Sequence, residues 1–290
     1  MKLIIRADDY GYTNIHNAGT IEAIKNGIVT TVDLMLDTPG TLDAIDKIKD
    51  FPWLSVGWHG GHFWGKPVAE TSLIPSMLDS EGNFKFRIDK KRRHEVKYEE
   101  ALIECRAQVE RCIAYLGKAP DYTNINSDDP VDRARQQVCD EYGIVYNFVT
   151  KTDRVTKITA HPDEKYTHLH IYMPTQHLSV YKILYHDEAQ EREKYDPVQY
   201  FIKDEDQLLQ QEIVITAWHP GYLDDYVYFD SSKHFNLARL IDIRALCSTK
   251  LKDWIVDQNV ELINVRDALY STNEYQNHLK LINSPLYINK

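Results

Sequence analysis

Cysteine is scarce, with four residues in 290, at positions 105, 112, 139 and 247. No Cys-x-x-Cys occurs. Cys105 and Cys112 fall on one predicted helix, two turns and about 10.5 Å apart, beyond the roughly 4.4–6.8 Å that a disulfide spans. All four are expected to be reduced, small core residues. Long apolar runs are missing as well: no stretch approaches the roughly 18–20 residues of a spanning helix. Positive charge is in deficit, with 34 Lys and Arg against 44 Asp and Glu and a net charge of −10. Such a chain repels phosphate backbones, which argues against a nucleic-acid partner. The run Lys90-Lys91-Arg92-Arg93 stands alone and reads as a solvated face. Met1–Arg6 meets charge too early for a signal-peptide core, so a cytoplasmic protein is expected. No repeat, low-complexity tract or linker divides the chain, which is expected to form one domain over 1–290.

What the chain does have is a rhythm. Short apolar, β-branched runs recur at Leu3–Ile5, Ile28–Met35, Leu54–Trp58, Tyr122–Ile125, Ile144–Val149, Leu169–Met173, Glu212–Trp218 and Val260–Val265. Helical spacing of apolar residues falls between many of them, over Asn14–Lys25, Tyr98–Leu116, Leu237–Leu246 and Leu251–Val256. Asp129-Pro130 opens another helix, with proline at its first position. Strands alternating with helices predict βαβ units, a mostly parallel sheet and an α/β fold close to a (β/α) barrel. The Tyr- and His-rich stretch from about 150 to 206 lacks that rhythm and is expected to be an insertion or lid.

Sites in parallel α/β folds form at the carboxyl ends of the strands. The first strand ends in Arg6-Ala7-Asp8-Asp9-Tyr10-Gly11. Two carboxylates leaving an apolar strand are costly unless paired or liganded. They are either a metal ligand beside a general base, or a polar turn with one acid paired to Arg6. The third strand runs into Val56-Gly57-Trp58-His59-Gly60-Gly61-His62, where imidazoles beside glycines suit a divalent cation or simply a hydrogen-bonded loop. After the fourth strand, Asp129 before Pro130 reads as a helix cap, while Asp128 is open to a ligand role. The late strand ends in His219-Pro220-Gly221-Tyr222, a rigid turn that places a histidine as a candidate general acid.

Taken in order, Arg-Ala-Asp-Asp-Tyr-Gly, Val-Gly-Trp-His and His-Pro-Gly-Tyr resemble the YdjC-like family of chitooligosaccharide and carbohydrate deacetylases. The likeness extends to Gly27–Thr31, to the helix at Phe235–Leu240 and to Val260–Ile263. It implies an irregular (β/α) barrel, a divalent metal, hydrolysis of N-acetyl groups on small sugars, phosphorylated or not, and a homodimer. By this resemblance Asp8 is the general base, Asp9 and His59 are metal ligands and His219 protonates the leaving amine. The family usually carries His-x-Asp-x-His-x-His on the fourth strand. Here Asn124, Asn126, Asp128 and Pro130 correspond, and Asp128 stands where the second metal histidine belongs. A carboxylate there would favour a hard ion, with Mg²⁺ expected ahead of Mn²⁺ or Zn²⁺. Arg6, Tyr10, His62, Trp64 and Tyr222 are the candidate substrate contacts, since aromatic faces stack on sugar rings. A sugar-binding relative with a weakened metal site and a glycoside hydrolase using the paired carboxylates are the competing expectations.

Overall fold

The structure is a computed structural model that describes residues 1–60, 63–87, 89–149, 151–152, 164–174, 182–183, 186–230 and 233–289. Its centre is β1 (Lys2–Tyr10), buried over nearly its whole length. A near-continuous apolar strand of this kind needs cover on both faces. On one side β1 pairs with β8 (Ile213–Trp218), which continues to β7 (Ile171–Met173) and β6 (Lys151–Thr152). On the other it pairs with β2 (Thr31–Leu34), then β3 (Ser55–Trp58), β4 (Tyr122–Thr123) and β5 (Val145–Tyr146). The short β9 (Glu261–Leu262) joins the start of β1. Every one of these pairings is parallel, and the curled sheet forms a half-barrel with helices around it.

The end of β1 is irregular. Ala7 pairs with Val32 and Tyr10 pairs with Leu34, so Asp8 and Asp9 together oppose the single residue Asp33. This is a β-bulge, which re-aims side chains by adding a residue to one strand. Asp9 adopts φ 62°, a left-handed conformation that Asp tolerates better than most residues.

The helices follow from local chemistry. Thr13 caps α1 (Asn14–Lys25) by accepting from the His16 backbone N–H. Beyond α2 (Thr41–Ile48), α3 (Tyr98–Leu116) ends at Gly117 in the left-handed conformation. Asp129 caps α4 (Pro130–Tyr142), accepting from the backbone of Val131 and Asp132. The predicted spans for α1 and α3 match the structure. Three of the cysteines are buried and all four are free thiols.

The stretch 150–206 supplies wall as well as loop. β6 and β7 belong to the sheet. It also contains α5 (Ala189–Lys194) and α6 (Pro197–Ile202), and Phe201 of α6 packs against Trp218 and Trp254 in the core. Elements of two to six residues are too short to print a periodicity. His168 and His170 are exposed, whereas His177 lies outside the described residues. The chain continues through α7 (Asp225–Asp230), α8 (Lys233–Leu246), α9 (Thr249–Asp257), α10 (Val265–Tyr270) and α11 (Glu274–Leu281).

Two buried groups make the fold sensitive to change. Gly57 lies in β3, and a Cβ there would run into Asp33 Oδ1 and the ring of Tyr122. Gly57→Ala is expected to cost about 1–3 kcal/mol through overpacking, read as a lowered denaturation midpoint with an unchanged denaturant slope. Glu104 of α3 is buried beneath the loop at 68–69, accepting from the Val68 and Ala69 backbones and from Gln108. Burial pushes its carboxyl up to about 7, despite those hydrogen bonds. An acid whose folded pKa is raised destabilises the fold as it ionises. The native state is therefore expected to lose on the order of 3 kcal/mol as pH rises from about 4.5 to about 7 from this group. Glu104→Gln should flatten that part of the stability–pH curve.

Candidate active site

The carboxyl ends of β1, β2, β3 and β8 lie together because the strands are parallel, and their polar residues meet there. Arg6 and Asp8 alternate onto one face of β1. The guanidinium forks onto the carboxylate, with Nε 2.6 Å from Oδ1 and Nη2 2.9 Å from Oδ2. Arg6 Nε also lies 3.4 Å from Asp33 Oδ2. Asp33 is 3% exposed, and its Oδ1 accepts from the Tyr122 hydroxyl. Arg6 and His59 together hold it below the usual carboxylate range against the opposing effect of burial.

His59 follows β3 and bridges two acids. Its Nδ1 is 3.4 Å from Asp33 Oδ2 and its Nε2 is 3.2 Å from Asp9 Oδ1. Burial would depress the imidazolium, but these two partners and the Asp8 charge outweigh it and raise its pKa to about 10. The other oxygen of Asp9 accepts from Arg239 Nη2 of α8 at 2.8 Å. Burial would raise Asp9, yet Arg239 and His59 hold it well below its ordinary value. Arg239 also donates to His16 Nε2 at 3.0 Å, and its guanidinium lies 4.5 Å from the Phe235 ring centroid.

His219 follows β8, with Nε2 3.9 Å from Asp8 Oδ2. Its backbone N–H donates to Asp242 Oδ2 at 2.7 Å, and Asp242 Oδ1 accepts from Tyr195. Its Nδ1 is buried with no hydrogen-bond partner among the described residues. Burial keeps the His219 imidazole below its ordinary pKa, although Asp9 and Asp8 pull the other way. Its resting form at neutral pH is therefore uncharged.

The donor set fits a divalent cation. Asp8, Asp33 and His59 each offer a ligand atom, and these atoms lie within 4.8 Å of one another. Three carboxylates face two guanidinium groups, which leaves one negative charge over. The His59 imidazolium balances it here, and a divalent cation that displaced that proton would more than cover it. Both oxygens of Asp8 already accept from Arg6, and those of Asp33 face Tyr122, His59 and Arg6. His59 Nε2 and Asp9 Oδ1 face each other, and loss of the Nε2 proton would free both toward one ion. Two bonds of about 2.0–2.2 Å to one ion leave ligand atoms about 3 Å apart, close to their 3.2 Å separation.

The remaining predicted residues take other places. Asp128 is exposed on the turn before α4 and stands outside the Asp8–Asp33–His59 group, so it is not the third member of that cluster. The turn is anchored from below: Arg93 pairs with Asp129 and Asp132, and Arg135 binds Asp132 and the Asn124 carbonyl. Tyr10 is fully buried and spends its hydroxyl on the Ala44 carbonyl, a core role in place of the expected substrate contact. Trp64 is half-buried with the Arg87 guanidinium over its ring, and Tyr222 is 41% exposed. His62 lies outside the described residues. Asp33, Tyr122, His16, Arg239 and Asp242 carry the site's electrostatics without having been singled out for it from the sequence. Asp33 left one signal, an acid inside the apolar run Ile28–Met35.

The family model described as YdjC-like protein matches residues 2–257. The chain belongs to the YdjC-like family. This YdjC-like protein is 28% identical over 274 residues to a carbohydrate deacetylase of Brevibacillus brevis, covering 91% of this chain and 98% of that one. A chitooligosaccharide deacetylase of Proteus mirabilis is 30% identical over 120 residues, 41% of this chain and 46% of that protein. Among solved structures, an Enterococcus faecalis protein described as a putative cellobiose-phosphate cleavage protein superposes with a TM-score of 0.65. It shares 22% identity and covers 91% of this chain and 97% of that one, a likeness of fold.

Arg239 is the counter-charge of Asp9, and removing one partner of such a pair strands the other. Arg239→Met is expected to cost about 3 kcal/mol. Asp9→Asn in the same background should restore part of that loss, as read in a double-mutant cycle of chemical denaturation.

Proposed function

We propose that this chain is a metal-dependent carbohydrate deacetylase, removing N-acetyl groups from small acetylated sugars of the chitobiose type. The supporting observation is the meeting of Asp8, Asp9, His59 and His219, from three strand ends, within 4 Å contacts in a chain whose full-length relatives are named carbohydrate deacetylases. His59 Nε2 and Asp9 Oδ1 would hold the cation, Mg²⁺ by the carboxylate-rich surroundings, with Asp8 and Asp33 adding to the negative field. A bound divalent cation supplies Lewis-acid polarisation of the acetyl carbonyl and makes water more acidic.

The side chains do the rest. Asp8 is the base that accepts a proton from the attacking water, oriented by the Arg6 fork. The water oxygen joins the acetyl carbon as the C–N bond breaks. His219 starts neutral, takes up a proton at Nε2, and delivers it to the departing nitrogen. The proton lifted from water by Asp8 would pass to His219 Nε2, 3.9 Å from Asp8 Oδ2 here, once the two close to hydrogen-bond distance. Arg239 fixes Asp9 and the Asp242 carboxylate fixes the backbone of His219. Trp64 and Tyr222 are the aromatic surfaces for the sugar ring, and the phosphorylated disaccharide is a second substrate form. Glycoside hydrolysis fits less well. Retaining enzymes set two carboxyl groups about 5–5.5 Å apart across the scissile bond, whereas Asp8 and Asp9 are neighbours on one bulge and each is bound to an arginine.

The purified protein incubated with N,N′-diacetylchitobiose, or with its 6-phosphate, is expected to release acetate with Mg²⁺, Mn²⁺ or Zn²⁺. Absence of acetate with all three ions overturns the activity for these substrates. Asp8→Asn should lower kcat by about 10²–10⁴-fold while cation binding persists; loss of cation binding would exchange the roles of Asp8 and Asp9.

A further inference from the structure

We infer that Asp33 is the positioning residue of His59. It receives the Nδ1 proton and so turns Nε2, beside Asp9, toward the cation. The inference rests on the metal-dependent reading above and concerns a residue outside the Asp-Asp and His motifs.

An acid in the middle of an apolar strand is a standing cost to the fold unless its charge is matched. Asp33 is buried and is matched on every side. Tyr122 donates to Oδ1, while Oδ2 faces Arg6 Nε and His59 Nδ1, each at 3.4 Å. Gly57 leaves the space in which Asp33 and Tyr122 meet. A carboxylate held this firmly can direct an imidazole. Metal-binding histidines generally give their second N–H to such an acceptor, which fixes the tautomer and raises ligand basicity. The demand is high here because His59 is the one imidazole in the Asp8–Asp33–His59 group. Its orientation therefore carries much of the site's affinity.

Binding of Mn²⁺ by isothermal titration calorimetry, with no substrate present, tests this. Relative to the wild-type chain, Asp33→Asn keeps an acceptor but loses the charge, and is expected to weaken binding by about 10-fold. Asp33→Ala should weaken it toward roughly 100-fold, and Tyr122→Phe by a few-fold. In a His59→Ala background, Asp33→Asn should add no further loss, since its effect passes through the imidazole. Nitrogen-15 spectra of the Zn²⁺-loaded wild type should show His59 protonated at Nδ1. Unchanged Mn²⁺ affinity in Asp33→Asn, or an equal loss with and without His59, overturns the inference and leaves the deacetylase reading standing. Failure of the wild-type chain to bind any divalent cation overturns both. Should Asp33→Asn fail to fold, Tyr122→Phe carries the same comparison.

Discussion

Buried negative charge is the constraint around which this molecule is arranged. Asp8, Asp9 and Asp33 sit at or near the ends of apolar strands, where uncompensated ionised groups would cost far more than the fold's net stability. Compensation comes from three directions. Arg6 reaches up from the same strand, Arg239 reaches across from α8, and His59 enters from the neighbouring strand end. Arg6 and Arg239 are buried and His59 is largely so, and each pair is held together by the cost of separating it. The cluster is thereby rigid before any ligand arrives, which is what a hydrolytic site needs.

The bulge makes this arrangement possible. In a regular strand Asp8 and Asp9 would point to opposite faces. The extra residue and the left-handed backbone of Asp9 let both carboxylates serve the same end of the sheet, opposite Asp33. One acid is then committed to Arg6 and the other to Arg239, so two chemically identical neighbours acquire different surroundings. That separation of environments is what lets two neighbouring carboxylates take different chemical roles.

The support behind the site is aromatic and polar in alternation. Trp58, next to His59 in the chain, is buried with its indole N–H bound to Gln108, which in turn binds Glu104. The Arg239 guanidinium is held between its ion pair and the faces of Phe235 and Tyr12. On the other flank Tyr195 and the backbone of His219 share Asp242, tying the 150–206 stretch to the end of β8.

Much of this was legible in the residues. Strand–helix alternation pointed to the parallel α/β architecture because both periods print directly on apolar spacing, and Asp129-Pro130 announced a helix cap through local backbone chemistry alone. The motif order brought Asp8, Asp9, His59 and His219 under suspicion, and the family match agrees with that resemblance. What the linear order could not reveal is who neutralises whom. Asp242 lies 23 residues from His219 and Arg239 lies 230 from Asp9, and they meet only because unrelated stretches fold against each other. Asp33 and Tyr122, 89 residues apart, are joined in the same way. Asp128 was drawn to the surface by a turn that Arg93 and Arg135 hold from below. Local patterns are written in neighbouring residues, so the order of residues was enough to set the elements and to nominate the donors. Charge pairing depends on distance in space, so it took the folded chain to choose which of those donors share a site.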